Sequence, residues 1–282
     1  MTYREWNELY FQLYKRNLEP KTRESYDRIK QLIGPALDDL QIDDITPDEI
    51  QRALLVVEDA AGTRQAQIAF ALLHASFRRA VRSRHLKESP VEAIDRPAHE
   101  ATPGRSINVT DWATLRPVID GDICFALMAY AGVRRGELLA LRRGDIGPDV
   151  VRVRLQRVRI GGKLTEKRPK SAAGVRDVPI LPDLARVVDR LPLMHPAALI
   201  CGVSPETLAR RWRAAQLDAG VPTPYRLHDL RHTYATRLVA VGCDLRTLQY
   251  LMGHSSYDLT AQTYTHIDGA LARLTCSRLP LH

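Results

Sequence analysis

Six side chains in the last 150 residues of this 282-residue chain have the types needed to cut and rejoin a phosphodiester without a metal ion. Arg134 lies in Ala131-Gly132-Val133-Arg134-Arg135-Gly136-Glu137-Leu138, and Lys170 in Pro169-Lys170-Ser171. His228 and Arg231 share His228-Asp229-Leu230-Arg231-His232-Thr233. His254 follows Leu251-Met252-Gly253, and Tyr264 stands ten residues later in Thr263-Tyr264-Thr265-His266. An in-line attack on a phosphodiester concentrates negative charge on its oxygens, and fixed cations and hydrogen-bond donors must meet that charge.

Each residue type suggests a role. Two arginines, Arg134 and Arg231, suit a clamp on the non-bridging oxygens, because a guanidinium is a planar fork of donors. Glu137 lies one helical turn beyond Arg134 and is placed to orient it. His228 and Arg231 are three apart, so on a helix they share a face, and Asp229 is placed to hydrogen-bond a nearby ring nitrogen. His254, after a helix-ending glycine, is a donor to the phosphate. A phenol with a pKa near ~10 needs a base or a cationic pocket to attack, and His228 is the natural base. After Lys87 only Lys163, Lys167 and Lys170 remain to protonate a leaving oxygen. A competing chemistry is zinc: His228 and His232 are four apart, with His254 or His266 as a third ligand. The metalloprotease signature, however, requires Glu where this chain has Asp229.

Composition narrows the partners. The net charge is +8 with 41 Lys and Arg, and a basic balance favours a polyanion without specifying a fold. Only seven of those cations are lysines. Cys124, Cys201, Cys243 and Cys276 are isolated in sequence, as expected of free thiols in a reducing compartment. The N-terminus has no apolar signal core, and the longest apolar run, Ile123 to Val133, is too short to cross a bilayer. The expectation is an intracellular, soluble protein with no membrane partner.

The elements that must position these residues fall into two groups. Helical spacing of Trp6, Leu9, Tyr10, Leu13 and Tyr14 begins the first, and a second helix starts at Thr22 and carries Tyr26, Ile29, Leu32 and Ile33. Thr46-Pro47-Asp48-Glu49 is a capping box with proline at the first helical position. A fourth helix over 63–86 has an apolar face (Ile68, Leu72, Ala75) and a basic end with Arg78, Arg79 and Arg82, which are candidate DNA-backbone contacts. Residues 1–94 are thus expected to form a helical domain and 95–108, with two prolines and a glycine, a linker. In the remaining domain, 109–282, helices are expected over 110–118 and 122–141. Strands are expected over 150–160, toward Lys170 and over 175–180, with helices again from Pro182, starting at Ser204-Pro205 and near Asp244.

The order and contexts of these boxes resemble the tyrosine recombinase (phage integrase) family over roughly residues 105–282. Ala-Gly-Val-Arg-x-Gly-Glu-Leu-Leu is similar to the family's first arginine box, with Ala131 where Thr is commoner. Pro169-Lys170-Ser171-Ala172-Ala173-Gly174-x-Arg176-x-Val178-Pro179 resembles the segment that carries the family's lysine. The resemblance makes Lys170 the general acid, with Lys163 at its own hairpin turn the alternative, and Tyr264 the nucleophile ahead of Tyr250 and Tyr257.

It further implies a mainly α fold with a small antiparallel β-sheet: an N-terminal helical, SAM-like core-binding domain and a C-terminal catalytic domain. The implied activity is site-specific DNA recombination through a 3′-phosphotyrosyl link, with neither metal nor nucleotide cofactor. The implied partners are double-stranded attachment sites, bound by a homotetramer that is monomeric in free solution, and an accessory directionality factor. The implied setting is the bacterial cytoplasm, at the nucleoid. Phage or mobile-element integration is the leading role, in a short form with no arm-binding domain before the helical one. Chromosome or plasmid dimer resolution, a type IB topoisomerase and a DNA-binding regulator without catalysis are the alternatives.

Overall fold

The computed structural model describes residues 1–98 and 104–254. They divide into two compact units, 1–98 with 159–162 and 104–158 with 163–254.

The first unit is built on four helices: α1 (Tyr3–Tyr14), α2 (Pro20–Leu37), α3 (Pro47–Ala61) and α4 (Thr63–Arg82). The Thr46/Glu49 capping box forms at the start of α3 as its sequence requires, with Glu49 Oε2 accepting the Thr46 N–H at 2.7 Å. Thr2 and Glu5 do the same for α1. The second helix starts two residues before Thr22, with Pro20 at its first position. The core gathers Trp6, Ile29, Ile33, Leu37, Ile50, Leu54, Leu73 and Phe77. The buried Trp6 indole donates to Ser76 at 2.9 Å, which removes the cost of an unpaired N–H. Along α4 the buried stripe runs through Ala66, Ala69, Leu73, Phe77 and Ala80, so Ile68 and Ala75 lie at its edge rather than its centre.

The second unit holds seven helices and four short strands among the described residues. Its helices are α5 (Val109–Asp120), α6 (Ile123–Tyr130), α7 (Arg135–Leu138), α8 (Pro182–Val188), α9 (Pro205–Asp218), α10 (Leu227–Ala240) and α11 (Leu245–Met252). Helix α6 is buried from Cys124 to Tyr130 and packs against α5, α8 and α10. An apolar run of this length thus makes a core helix, and no described helix is long and apolar enough to cross a membrane.

The strand expected over 150–160 is two strands. β1 (Val150–Val153) pairs antiparallel with β4 (Arg176–Pro179), Val150 opposite Pro179 and Val153 opposite Arg176. β2 (Gln156–Ile160) pairs instead with β3 (Lys163–Lys167), in a separate two-stranded sheet. The chain changes partner at Arg154, whose guanidinium donates to the Arg176 carbonyl at 2.8 Å.

Candidate active site

The continuous helix expected over 122–141 is broken, and the break makes the site. Gly132 takes φ +60, and a Cβ there would lie 2.3 Å from Tyr234 Cδ1. Only glycine meets both demands. The chain turns after α6, and Arg134 becomes the N-cap of α7 instead of an exposed helical residue. Glu137 then sits at the third helical position. Its Oε2 accepts the Arg134 backbone N–H at 2.8 Å and its Oε1 accepts Arg134 Nη1 at 2.8 Å.

Arg176, from β4, meets the same carboxylate from the other side. Its Nη1 donates to Glu137 Oε1 at 3.0 Å and its Nη2 to Oε2 at 2.9 Å, with both side chains almost fully buried. Burial pushes the Glu137 carboxyl upward. The Arg176 hydrogen bonds and charge, followed by Arg134 and Arg231, outweigh it and hold the pKa at about 2. Glu137 is therefore an anion at neutral pH.

The end of α11 is where the arginines converge. Gly253 closes the helix in the left-handed region, with its N–H to the Tyr250 carbonyl at 3.0 Å and the His254 N–H to the Gln249 carbonyl at 3.1 Å. Three successive carbonyls then each accept an arginine. Leu251 takes Arg176 Nε at 2.7 Å, Met252 takes Arg231 Nη2, and Gly253 takes Arg134 Nη2 at 2.7 Å. Cations belong at a helix C-terminus, where unsatisfied carbonyls carry partial negative charge. They fix the direction in which the chain leaves α11 toward His254.

Helix α10 supplies His228 and Arg231. Its N-cap is Arg226, whose N–H donates to Asp229 Oδ2 at 2.7 Å, while Asp229 Oδ1 accepts the Arg105 N–H at 3.3 Å. Asp229 was expected to hold a histidine ring. An acid at the third helical position instead turns back to the cap. Arg231 is 2% exposed. It donates to the Gly132 and Met252 carbonyls, and its Nη2 lies 3.3 Å from His254 Nε2.

His228 opens onto a cleft of about 630 Å³ lined also by Arg134, Arg135, Arg213 and Arg226. The protein packed around the ring, then Arg231, depress its pKa to about 4 against the pull of Asp229. The side chain is exposed on its cleft side, so the neighbouring cations are the firmer cause. Burial, then Arg231, Arg134 and Arg176, hold His254 at about 4 as well. Both rings are neutral at physiological pH.

The structure thus brings together four of the predicted residues: Arg134, His228, Arg231 and His254. Lys170 is exposed on the segment between β3 and β4 and makes no hydrogen bond or ion pair among the described residues, while Lys163 is exposed at the start of β3. Tyr264 lies outside the described residues, as does His266. Arg78, Arg79 and Arg82 belong to the first unit, where with Lys15, Tyr10 and Tyr14 they line a groove of about 410 Å³. Arg79 is half-buried with its guanidinium 3.9 Å from the centre of the Tyr14 ring, whereas Arg78 and Arg82 are exposed.

For the zinc alternative, no group of three His, Cys, Asp or Glu side chains suited to a metal occurs among the described residues. His254 faces a guanidinium rather than the His228–His232 pair. Sequence reasoning gave no role to Arg176; its only signal was its place in the Lys170 segment.

A neutral histidine facing an arginine-lined cleft, beside a cluster of two buried guanidiniums, one partly exposed guanidinium and a buried carboxylate, defines a site for a phosphate-bearing polyanion. Residues 118–270 match the phage integrase family, and residues 2–54 match the family's N-terminal SAM-like domain. The chain belongs to the phage integrase family, that of the tyrosine recombinases. It is 30% identical to the putative prophage phiRv2 integrase of Mycobacterium tuberculosis over 264 residues, 86% of this chain and 69% of that one. Over 155 residues it is 33% identical to the tyrosine recombinase XerC of Rhodospirillum centenum, 51% of this chain and 41% of that one. Its fold is similar to that of the Tn1549 transposon integrase in complex with transposon right-end DNA, with a TM-score of 0.79 and 20% identity over 99% of both chains. It is also similar to a lambda integrase in a tetramer bound to a Holliday junction, with a TM-score of 0.68 and 19% identity over 94% of this chain and 77% of that one.

Proposed function

We propose that this chain is a site-specific DNA recombinase that cleaves and rejoins strands through a 3′-phosphotyrosyl link at Tyr264, integrating phage or mobile-element DNA. The observation that carries the reading is the cationic cluster at the end of α11, with neutral His228 and His254 beside Arg134 and Arg231. It stands ten residues before a tyrosine. Tyr264 Oη attacks the scissile phosphorus in line with the 5′-oxygen, and that bond breaks as the phosphotyrosyl ester forms. Arg134, whose side chain is 33% exposed, reaches the non-bridging oxygens. Arg231 adds its charge from below and His254 donates a hydrogen bond. His228 takes the phenolic proton. Its pKa near 4 makes it a weak base in the free protein, but a bound phosphate anion stabilises the imidazolium and strengthens the base when substrate is present. Lys170 protonates the leaving 5′-oxygen. The ester conserves the bond energy, and a 5′-hydroxyl from a partner duplex reverses the step.

The remaining assignments follow from this reading. Residues 1–94 form a core-site-binding domain that uses Arg78, Arg79 and Arg82, 95–108 the linker and 109–282 the catalytic domain. Four protomers act on two double-stranded sites, from monomers in free solution, with an accessory factor setting direction, in the bacterial cytoplasm at the nucleoid. The likeness to XerC favours dimer resolution as the second reading. A reaction with two candidate sites on separate labelled duplexes tests the proposal. Four-armed junctions and exchanged products support recombination. Relaxation of supercoils without exchange would support a topoisomerase, and binding alone a regulator.

A further inference from the structure

We infer that Arg176 is the positioning residue of this site, tying the segments that carry Arg134, Lys170 and His254 to one buried guanidinium; the inference rests on the strand-transfer reading above. Its three nitrogens reach three parts of the site. Nη1 and Nη2 hold Glu137, which in turn holds the Arg134 backbone and guanidinium. Nη1 also donates to the Gly174 carbonyl at 3.2 Å, in the short turn Ala172–Gly174 that follows Lys170. Nε donates to the Leu251 carbonyl at 2.7 Å, three residues before His254. The three segments also meet at Gly253, where an added Cβ would lie 2.8 Å from Arg176 Nη1, 3.0 Å from the Ala173 carbonyl and 3.2 Å from Arg134 Nη1.

With 2% exposure, Arg176 has no open face for DNA, so it acts through the groups it holds. A lysine in its place has one nitrogen at the end of a flexible stem and cannot serve a bidentate carboxylate and two carbonyls together. Removing Arg176 therefore misplaces three segments at once without removing any group proposed to touch DNA.

The test compares wild type, Arg176→Lys, Gly253→Ala and Leu115→Ala on nicked DNA that traps the covalent adduct, measuring DNA affinity and single-turnover cleavage separately. Leu115, fully buried in the core of the same unit, controls for lost stability alone. Arg176→Lys and Gly253→Ala are expected to bind DNA within about threefold of wild type and to cleave on the order of 100-fold more slowly, the cost of misplacing reacting groups by about 1 Å. Leu115→Ala is expected to cleave at close to the wild-type rate below its melting temperature. Arg176→Lys cleaving as fast as Leu115→Ala, or losing affinity and rate together, overturns the inference. If Arg176→Lys does not fold, Gly253→Ala decides, because its Cβ would press on Arg176 Nη1 from 2.8 Å while the Arg176 side chain itself is kept. Wild type that forms no adduct on a verified site would overturn the strand-transfer reading itself. An adduct in wild type with an unimpaired Arg176→Lys overturns only the role of Arg176.

Discussion

Arg231 Nη2 and His254 Nε2 face each other at 3.3 Å in the buried centre of the site. A guanidinium has no acceptor, so the imidazole nitrogen must accept. His254 is therefore neutral with its proton on Nδ1, and in the proposed reaction that nitrogen is its donor toward the phosphate. His254 should titrate near pH 4 in the free protein, and nitrogen-detected NMR should show the Nδ1–H tautomer at pH 7. A ring titrating near 6.5, or the Nε2–H tautomer, would remove the basis for this assignment.

The same depression fixes how stability depends on pH. The unfolded His254 binds a proton near pH 6.5 and the folded one only near 4. Stability is thus complete above 6.5 and is lost as pH falls toward 4, by on the order of 3 kcal/mol from this ring. Glu137 adds a further loss between its ordinary value of 4.5 and about 2. Urea melts from pH 7 to 4 check the sign; a protein that gained stability on acidification would contradict it.

Glu137→Gln should destabilise the second unit by about 3–5 kcal/mol, because it leaves buried guanidiniums without their anion. Calorimetry of the isolated variant measures this. A loss under 1 kcal/mol would mean that the carboxylate is not the hub of the cluster.

How far the sequence revealed this cluster depended on the range of the interactions. Local signals translated directly: the Thr46/Glu49 box, the Ser204 and Asp244 caps and the Glu137–Arg134 contact all follow from neighbours a few residues apart. The break at Gly132 was hidden, since apolar residues run unbroken across it and the demand for glycine comes from Tyr234, a hundred residues away in sequence. Arg176 was hidden for the same reason. Nothing near it in sequence announces partners at Glu137 and Leu251.

Lys170 and Lys163 are separated by leaving-group chemistry. Lys170→Ala should slow cleavage of ordinary DNA by about 100- to 10,000-fold, the range for losing a general acid. It should cleave at nearly the wild-type rate when the bridging 5′-oxygen is replaced by sulfur, which leaves without a proton. Rescue of Lys163→Ala instead would move the general acid to the hairpin.

Among the arginines of α4, exposure predicts function. Arg78→Ala and Arg82→Ala should each lower the salt dependence of DNA binding by about 0.9 in the log–log slope, one phosphate contact apiece. Arg79→Ala should act mainly on stability, through its lost stacking on Tyr14. Equal slopes for all three variants would refute the distinction.

The central claim is that Tyr264 carries the DNA strand. The most direct measurement is covalent trapping on nicked candidate-site DNA, followed by denaturing electrophoresis, for wild type and Tyr264→Phe. The account predicts an SDS-resistant adduct in wild type, a tryptic DNA-linked peptide containing Tyr264, and no adduct in the variant. An adduct of wild-type yield from Tyr264→Phe would contradict it and direct the search to Tyr257.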